Sequence, residues 1–370
     1  MRITLIGPVH PYRGGIASHN ARLAVELQGK GHEVIVESWR SQFPKFLRGG
    51  ARGNAGEPEL KQPSEVMERL TWYNPLSWWL AGRRARGGLL WVSYITPYQV
   101  PIYLVMRLAF GSSQTGAILH NVLPHERGLL DRALLRMLLA GYRRLICHDQ
   151  RGLETLRALG VTEDRVRLLP LPAALMVTPK PRSQARFRGI LPPAPNRIRL
   201  LFFGFVRHYK GLDILYRSLA PHPEVELWVA GDFWEPREKY DQLASELGVS
   251  DQIRVFDGYV DKAEIPDLFA CCDALVLPYR SGTGSALRAL AHSQGLAVIA
   301  TNVGAIHEGI DAGKNGLVVT AGDFSALSGA IGDLAQLDLE GLRTSSPRAE
   351  AAKNRATWGA YSSALAGIDK

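Results

Sequence analysis

Two periods of hydrophobicity alternate along this chain. Short runs of aliphatic and β-branched residues are followed by longer stretches in which apolar positions recur every three or four residues. In the first half the strand-like runs are Arg2–Ile6, Glu33–Ser38, Gly88–Val92, Gly116–His120 and Arg144–His148, with helical patterns notably over Ile16–Lys30 and Gly128–Leu139. In the second half they are Ile198–Phe203, Glu224–Ala230, Ile253–Phe256, Ala274–Val276, Ala297–Thr301 and Gly316–Val319. The helical patterns between them are Leu212–Leu219, Glu238–Glu246, Glu264–Cys271, Ser285–Ser293 and Phe324–Ala335. Apolar strands alternating with helices predict parallel sheets covered on both faces. Two such series predict two doubly wound α/β domains.

Breaker residues suggest the boundary. Thr178-Pro-Lys-Pro and Leu191-Pro-Pro-Ala-Pro bracket a polar stretch without useful periodicity, which reads as an interdomain linker over 179–196. The expected domains are therefore 1–178 and 197–350. A second Gly- and Pro-rich stretch, 46–63, reads as a mobile loop within the first domain. No tandem repeat of short period is visible.

Composition adds three constraints. With 370 residues, 46% hydrophobic and 21% charged, the chain can bury two cores and is neither collagen-like nor wholly disordered. The longest apolar run, Trp91 to Met106, contains Pro97 and Pro101 and falls short of the ~18–20 residues of a membrane span. No signal peptide is recognisable at the start, and the few cysteines, Cys147, Cys271 and Cys272, suggest a reducing, cytoplasmic compartment. Charge is uneven: residues 1–180 hold 24 Lys/Arg against 13 Asp/Glu, and residues 181–370 hold 20 against 22. A net of +11 against −2 suggests an anionic partner for the first half, or simply a solvated Arg-rich face. Trp72, Trp78 and Trp79 beside Arg83, Arg84 and Arg86 read equally as an amphipathic membrane-surface element or as core tryptophans under a basic face.

In open α/β sheets ligands bind beyond the carboxyl ends of the strands, so the segments just after each strand carry the chemistry. Gly7-Pro-Val-His-Pro-Tyr-Arg13-Gly14-Gly15 enters the first helix; its glycines remove side chains where backbone N–H groups could meet an anion, and Arg13 adds charge. It has neither the G-x-G-x-x-G spacing nor a P-loop lysine. His120-Asn-Val-Leu-Pro-His125-Glu126 places two imidazoles and a carboxylate at a strand end, suited to acid, base or substrate contact. In Gly204-Phe-Val-Arg207-His-Tyr-Lys210-Gly211 two cations three apart can reach one phosphate. Pro278-Tyr-Arg-Ser-Gly-Thr-Gly284-Ser285-Ala286 runs from a strand into a helix and offers amides to a diphosphate; an ordinary N-cap is the plainer alternative. No Asp-x-Asp, Cys-x-x-Cys or G-x-S-x-G motif is present, so no metal ligands and no hydrolase elbow are expected.

Together these motifs resemble a retaining GT-B glycosyltransferase of family 4 (glycosyltransferase group 1), over nearly the whole chain. The resemblance also uses Val229-Ala-Gly-Asp-Phe233, Val298-Ile-Ala-Thr-Asn-Val-Gly304 and Glu308. It implies two Rossmann-like domains facing across a cleft, a last helix over 351–366 that packs back on the first of them, a nucleotide diphosphate sugar as donor substrate and no cofactor or metal. It implies Arg207 and Lys210 on the diphosphate, helped by Gly284, Ser285 and Ala286. Gly14 and Gly15 would meet the phosphates, His120 would lie near the sugar, and Glu308 would join the donor site. Arg13, His125 and Glu126 are further candidates for sugar or acceptor contact. The implied reaction moves a hexose to a lipid-linked, polysaccharide or small-molecule acceptor. It is cytoplasmic, with an anionic inner membrane surface as a candidate partner and nucleic acid disfavoured. One departure stands out: the glutamates of the family's E-x7-E pattern align here with Gly282 and Leu290. Their loss raises the alternative of a catalytically silent member that binds a nucleotide sugar or supports a partner enzyme.

Overall fold

A computed structural model of the chain describes residues 1–12, 14–43, 62–122, 130–173, 177–194, 197–282 and 284–367. It divides into two compact units, Met1–Leu175 with Asn354–Lys370, and Met176–Lys353.

The first unit runs β1 (Arg2–Ile6), α1 (Gly15–Gly29), β2 (Glu33–Ser41), β3 (Val66–Thr71), α2 (Pro75–Arg84), β4 (Leu89–Tyr94), α3 (Val100–Phe110), β5 (Thr115–Leu119), α4 (Asp131–Gly141), β6 (Arg144–Cys147), α5 (Gln150–Ala158) and β7 (Val166–Leu168). Its sheet has the order β3-β2-β1-β4-β5-β6-β7 and every pairing is parallel. The strands at its centre read as continuous apolar runs because both faces are covered: all six residues of β4 are buried. One face is packed by α2, α3 and α4 around Tyr94, Tyr103, Leu135 and Leu138. The other is packed by α1 through Leu23, Ala24 and Leu27, together with Trp358, Tyr361 and Leu365.

The second unit runs β8 (Arg199–Phe203), α6 (Leu212–Leu219), β9 (Glu226–Gly231), α7 (Glu238–Glu246), β10 (Ile253–Asp257), α8 (Ile265–Ala270), β11 (Ala274–Leu277), α9 (Leu287–Ser293), β12 (Ala297–Thr301), β13 (Gly316–Val319) and α10 (Phe324–Asp333). The last helix, α11 (Leu339–Ala366), begins in this unit and ends in the first. The sheet order is β10-β9-β8-β11-β12-β13, again all parallel. In both sheets the order reverses beside the first strand, between β1 and β4 and between β8 and β11. That is where a doubly wound sheet leaves a crevice at its carboxyl edge.

The alternation of apolar runs and helices therefore predicts the right class, two doubly wound α/β sheets. It misses β3, which has two exposed charges in six residues, and β7, which is three residues long. Among the helices, α2 is marked by its cap: Asn74 Oδ1 accepts from Leu76 N, and Pro75 occupies the first turn. The loop expected over 46–63 lies almost entirely outside the described residues.

The stretch 179–196, expected as a linker, is instead attached to the second unit over its described part. Lys180 Nζ lies 2.7 Å from Asp267, Arg188 pairs with Glu264 at 3.0 Å, and Arg182 pairs with Asp273. Phe187 is buried against Trp228 and Phe256. A single aromatic anchor and three arginine or lysine contacts leave no periodic trace, so pattern reading passes over them.

Candidate functional site

The second unit presents a candidate anion site at its switch point. β8 ends in a turn at Gly204; Val206 pairs with Phe233 after β9, and residues 208–210 form one 3-10 turn before Gly211 opens α6. Gly211 has φ +71°, and a Cβ there would lie 2.0 Å from the Pro278 carbonyl oxygen. The close approach locks the Arg207–Lys210 turn against the segment following β11. Gly211→Ala is therefore expected to destabilise this unit by at least about 2 kcal/mol, through a clash together with left-handed backbone strain. Chemical denaturation of the purified chain checks it.

Lys210 is 8% exposed, and among the described residues its ammonium has no carboxylate partner. Burial pushes its pKa down; Tyr209 opposes the shift and the nearby Arg207 cation adds to it. The ammonium sits 5.6 Å from the centre of the Tyr279 ring. The Arg207 guanidinium lies 5.0 Å from the Trp234 ring centre and 5.7 Å from that of Tyr209. Aromatic faces soften the burial of a cation without neutralising it. A neighbouring cation, Arg280, is by contrast fully committed, with both guanidinium nitrogens on Asp213 at 2.7 and 2.6 Å. What remains is a pair of neighbouring positive charges at a strand end with no carboxylate partner among the described residues, and burial of the Lys210 charge is costly until an anion arrives.

Gly284, Ser285 and Ala286 lie between β11 and α9, and Ser285 Oγ accepts from Leu287 N at 3.3 Å. The serine is thus partly used as a local cap, the plainer of the two roles considered for this loop. Glu308 is exposed on the loop between β12 and β13.

In the first unit Gly14 precedes α1 at φ +109° with no side-chain cap. A Cβ on Gly14 or on Gly15 would meet open space, so the amides there are unobstructed. His120 follows β5 and belongs to a cluster of three imidazoles that the sequence motifs do not reveal. Its ring centre is 5.0 Å from that of His19 on α1 and 5.4 Å from that of His148 after β6. Trp358 and Tyr361 of α11 close the cluster from the side of His19. Burial holds all three imidazoles neutral, with their mutual repulsion as a smaller contribution for His19 and His120: His19 is lowered to about 3, His148 to about 4, and His120 well below the usual histidine range. His148 Nδ1 donates to the Leu169 carbonyl at 3.1 Å, while His120 Nε2 has no hydrogen-bond partner among the described residues. A histidine at the end of each of two adjacent strands was the available signal; the contribution of α1 was not legible. Arg13, His125 and Glu126 lie outside the described residues. Among the described residues no three His, Cys, Asp or Glu side chains are grouped as a metal site.

Comparison with known proteins bears on the half that carries Arg207 and Lys210. Residues 197–336 match the family model described as Glycosyl transferases group 1. The match is to a glycosyltransferase domain and is confined to these residues of the second unit. The chain is similar to D-inositol 3-phosphate glycosyltransferase 1 of Catenulispora acidiphila, at 30% identity over 225 residues, covering 56% of this chain and 53% of that protein. It is also similar to the lipopolysaccharide core biosynthesis mannosyltransferase LpsB of Rhizobium meliloti, at 33% identity over 34% of this chain and 38% of that one. The chain thus spans about half the length, or less, of these curated relatives. Among solved structures, sucrose-phosphate synthase of Thermosynechococcus elongatus superposes with a TM-score of 0.74 at 17% identity, over 100% of this chain and 98% of that one. HepE of Anabaena in complex with UDP gives 0.70 at 15% identity, over 99% and 100%. The shared fold is the GT-B arrangement of two doubly wound domains.

The resemblance places a glutamate pair at two positions of this unit that are occupied here by Gly282 and Leu290. A Cβ at Gly282 would lie 2.9 Å from Ile306 Cδ1, so that isoleucine side chain fills the space a longer residue would need. Leu290 is buried in α9 beside β12. In this unit both positions therefore serve packing.

Proposed function

We propose that the chain is a glycosyltransferase of the retaining, family 4 kind that takes a nucleotide diphosphate sugar as donor. One observation carries the reading. Lys210 is a buried cation with no carboxylate partner among the described residues, set beside Arg207 at the switch point of the unit that matches the group 1 model. A diphosphate supplies the missing charge. As the glycosyl–phosphate bond breaks, the sugar ring gains positive charge and the leaving diphosphate gains negative charge. Arg207 and Lys210, fixed before the reaction, stabilise that separation with little reorganisation. The acceptor oxygen bonds to the anomeric carbon on the face the leaving group departs from, and its proton passes to a diphosphate oxygen, so configuration is retained. Gly284, Ser285 and Ala286 add amides at the phosphates, as Gly14 and Gly15 do from the first unit. Glu308 belongs to the donor side, and the neutral His120 is assigned to a sugar hydroxyl through its unpartnered Nε2. The relatives' names, which include inositol phosphate glycosyltransferases and mannosyltransferases, support a hexose and an acceptor that is a small phosphorylated polyol or is lipid-linked. A lipid-linked acceptor would bring the chain to a cytoplasmic, anionic membrane surface.

A panel of UDP-, GDP- and ADP-sugars tests the reading by titration and by slow donor hydrolysis. Binding and hydrolysis of one donor, both lost in Arg207→Ala, is the expected result. Failure of every donor to bind would overturn it in favour of the silent alternative.

A further inference from the structure

We propose that the outer face of the α2–α3–α4 layer is a docking surface for an anionic lipid bilayer. The proposal gives the membrane part of the reading above a place on the fold, and it does not depend on the transfer chemistry.

The three helices lie side by side on one face of the first sheet. Gly82 of α2 sits so close to α3 that a Cβ would come within 2.3 Å of the Met106 carbonyl oxygen. Arg107 of α3 donates to the Gly141 carbonyl of α4 at 2.9 Å. With their inner faces committed to the core, they leave an outer face of unusual composition. Leu76, Trp79 and Leu80 recur at helical spacing on α2 and are 62%, 40% and 42% exposed. Tyr73 just before the helix, Leu108 on α3 and Met137 on α4 extend the apolar surface at 62%, 70% and 52% exposure. Scattered single hydrophobics are ordinary on a protein surface, but neighbouring ones on three adjacent helices are not.

The charges on this face have one sign. No Asp or Glu occurs between Glu68 and Glu126, so α2 and α3 carry none. The carboxylate of α4, Asp131, is only 7% exposed. Arg83, Arg132 and Arg136 are exposed on the same helices, whereas Arg84 and Arg107 turn inward to Glu37 and the Gly141 carbonyl. The opposite layer differs, since on α1 Arg22 is matched by Glu26 at 2.6 Å. Aromatic and aliphatic side chains interleaved with arginine suit the headgroup boundary of an anionic bilayer, where rings and alkyl groups enter and guanidinium groups meet phosphates. A nucleic acid would satisfy the arginines but leave Leu76, Leu80 and Leu108 in water. No helix among the described residues is long and apolar enough to cross a membrane, so the contact is a surface one.

Co-sedimentation of the full chain with vesicles tests the proposal. Phosphatidylcholine vesicles are compared with phosphatidylcholine–phosphatidylglycerol vesicles at low and high salt. The chain should pellet with the anionic vesicles and release in salt. Trp79→Ser with Leu80→Ser should weaken binding by about tenfold or more. Arg132→Gln with Arg136→Gln should weaken it by about fivefold per arginine. Arg22→Gln, on the opposite layer, should leave it unchanged, and unaltered melting curves confirm that each variant is folded. Equal recovery with neutral and anionic vesicles overturns the proposal. So does anionic binding insensitive to the Trp79 and Leu80 changes, which would mark simple charge adsorption, or a dimer that buries this face while no vesicle is bound. Vesicle binding in a chain that binds no nucleotide sugar would sink the transfer reading and leave this surface standing.

Discussion

Replacing Lys210 by methionine is expected to abolish use of the donor while leaving the fold intact or somewhat more stable. The two effects have one cause. In the free protein the ammonium is buried, has no carboxylate partner among the described residues, and is destabilised further by Arg207. A methionine of similar length removes that burden and still packs against Tyr279. In the bound state the same change deletes a fixed cation from the leaving group. Losses on the order of 10²–10³ in turnover accompany removal of one such group at a charge-developing site. Arg207→Ala should show a comparable loss of turnover with little change in melting temperature, since that side chain is only half-buried. The measurements are donor hydrolysis and a thermal melt on the same samples. A Lys210→Met chain that binds and hydrolyses its donor normally would remove the observation on which the functional reading rests.

The second large effect is acid destabilisation of the first unit. His19 titrates at about 3 and His148 at about 4 in the folded chain, with His120 also well below the ordinary 6.5. An unfolded chain binds those protons as pH falls through 6.5, whereas the folded one excludes them until far lower. The stability contributed by keeping the imidazoles neutral is therefore complete above that value and is lost as pH falls towards 4. Each histidine contributes a loss of about 2 kcal/mol between pH 6.5 and about pH 5. Carboxylates such as Glu264, held down by Arg188, act only at still lower pH and do not obscure this window. Melting curves across the range should fall steeply, and, because His292 of the second unit is also lowered to about 4 by burial and adds to the same window, His19→Leu should flatten the slope by roughly a quarter. A melting temperature that stays level down to pH 5 would mean that water or a proton reaches the cluster without unfolding.

The candidate donor-site cations and the imidazole cluster differ in how they could be found. Arg207, Lys210 and the two glycines around them lie within one eight-residue turn, so local sequence contains the whole feature. Their lack of a carboxylate partner among the described residues was not local. It depends on Arg280 rather than Lys210 taking Asp213, although all three lie near the same turn. The imidazoles at positions 19, 120 and 148 come from a helix and from the ends of two adjacent strands. Only the parallel order β1-β4-β5-β6 brings them together. Likewise Trp72, Trp78 and Trp79 were ambiguous between core and surface. Packing decided it residue by residue: the Trp78 indole N–H turns back to the Thr71 carbonyl, while Trp79 faces out.

By itself, then, the sequence determined the class of fold and the chemistry of its strand ends. Burial on both faces imposes continuous apolar strands, and the proposed anion site needs only glycine and cation within one short turn. Tertiary structure decided what depends on partners distant in the chain. It attached residues 179–194 to the second unit through Phe187 and three ion pairs. It closed the space at Gly282 with Ile306, gathered three neutral histidines, and left the α2–α3–α4 face without exposed carboxylates among its described residues. Whether a charge is compensated or an indole is covered is set by which side chains meet in space, and periodicity along the chain records only which face each residue is on.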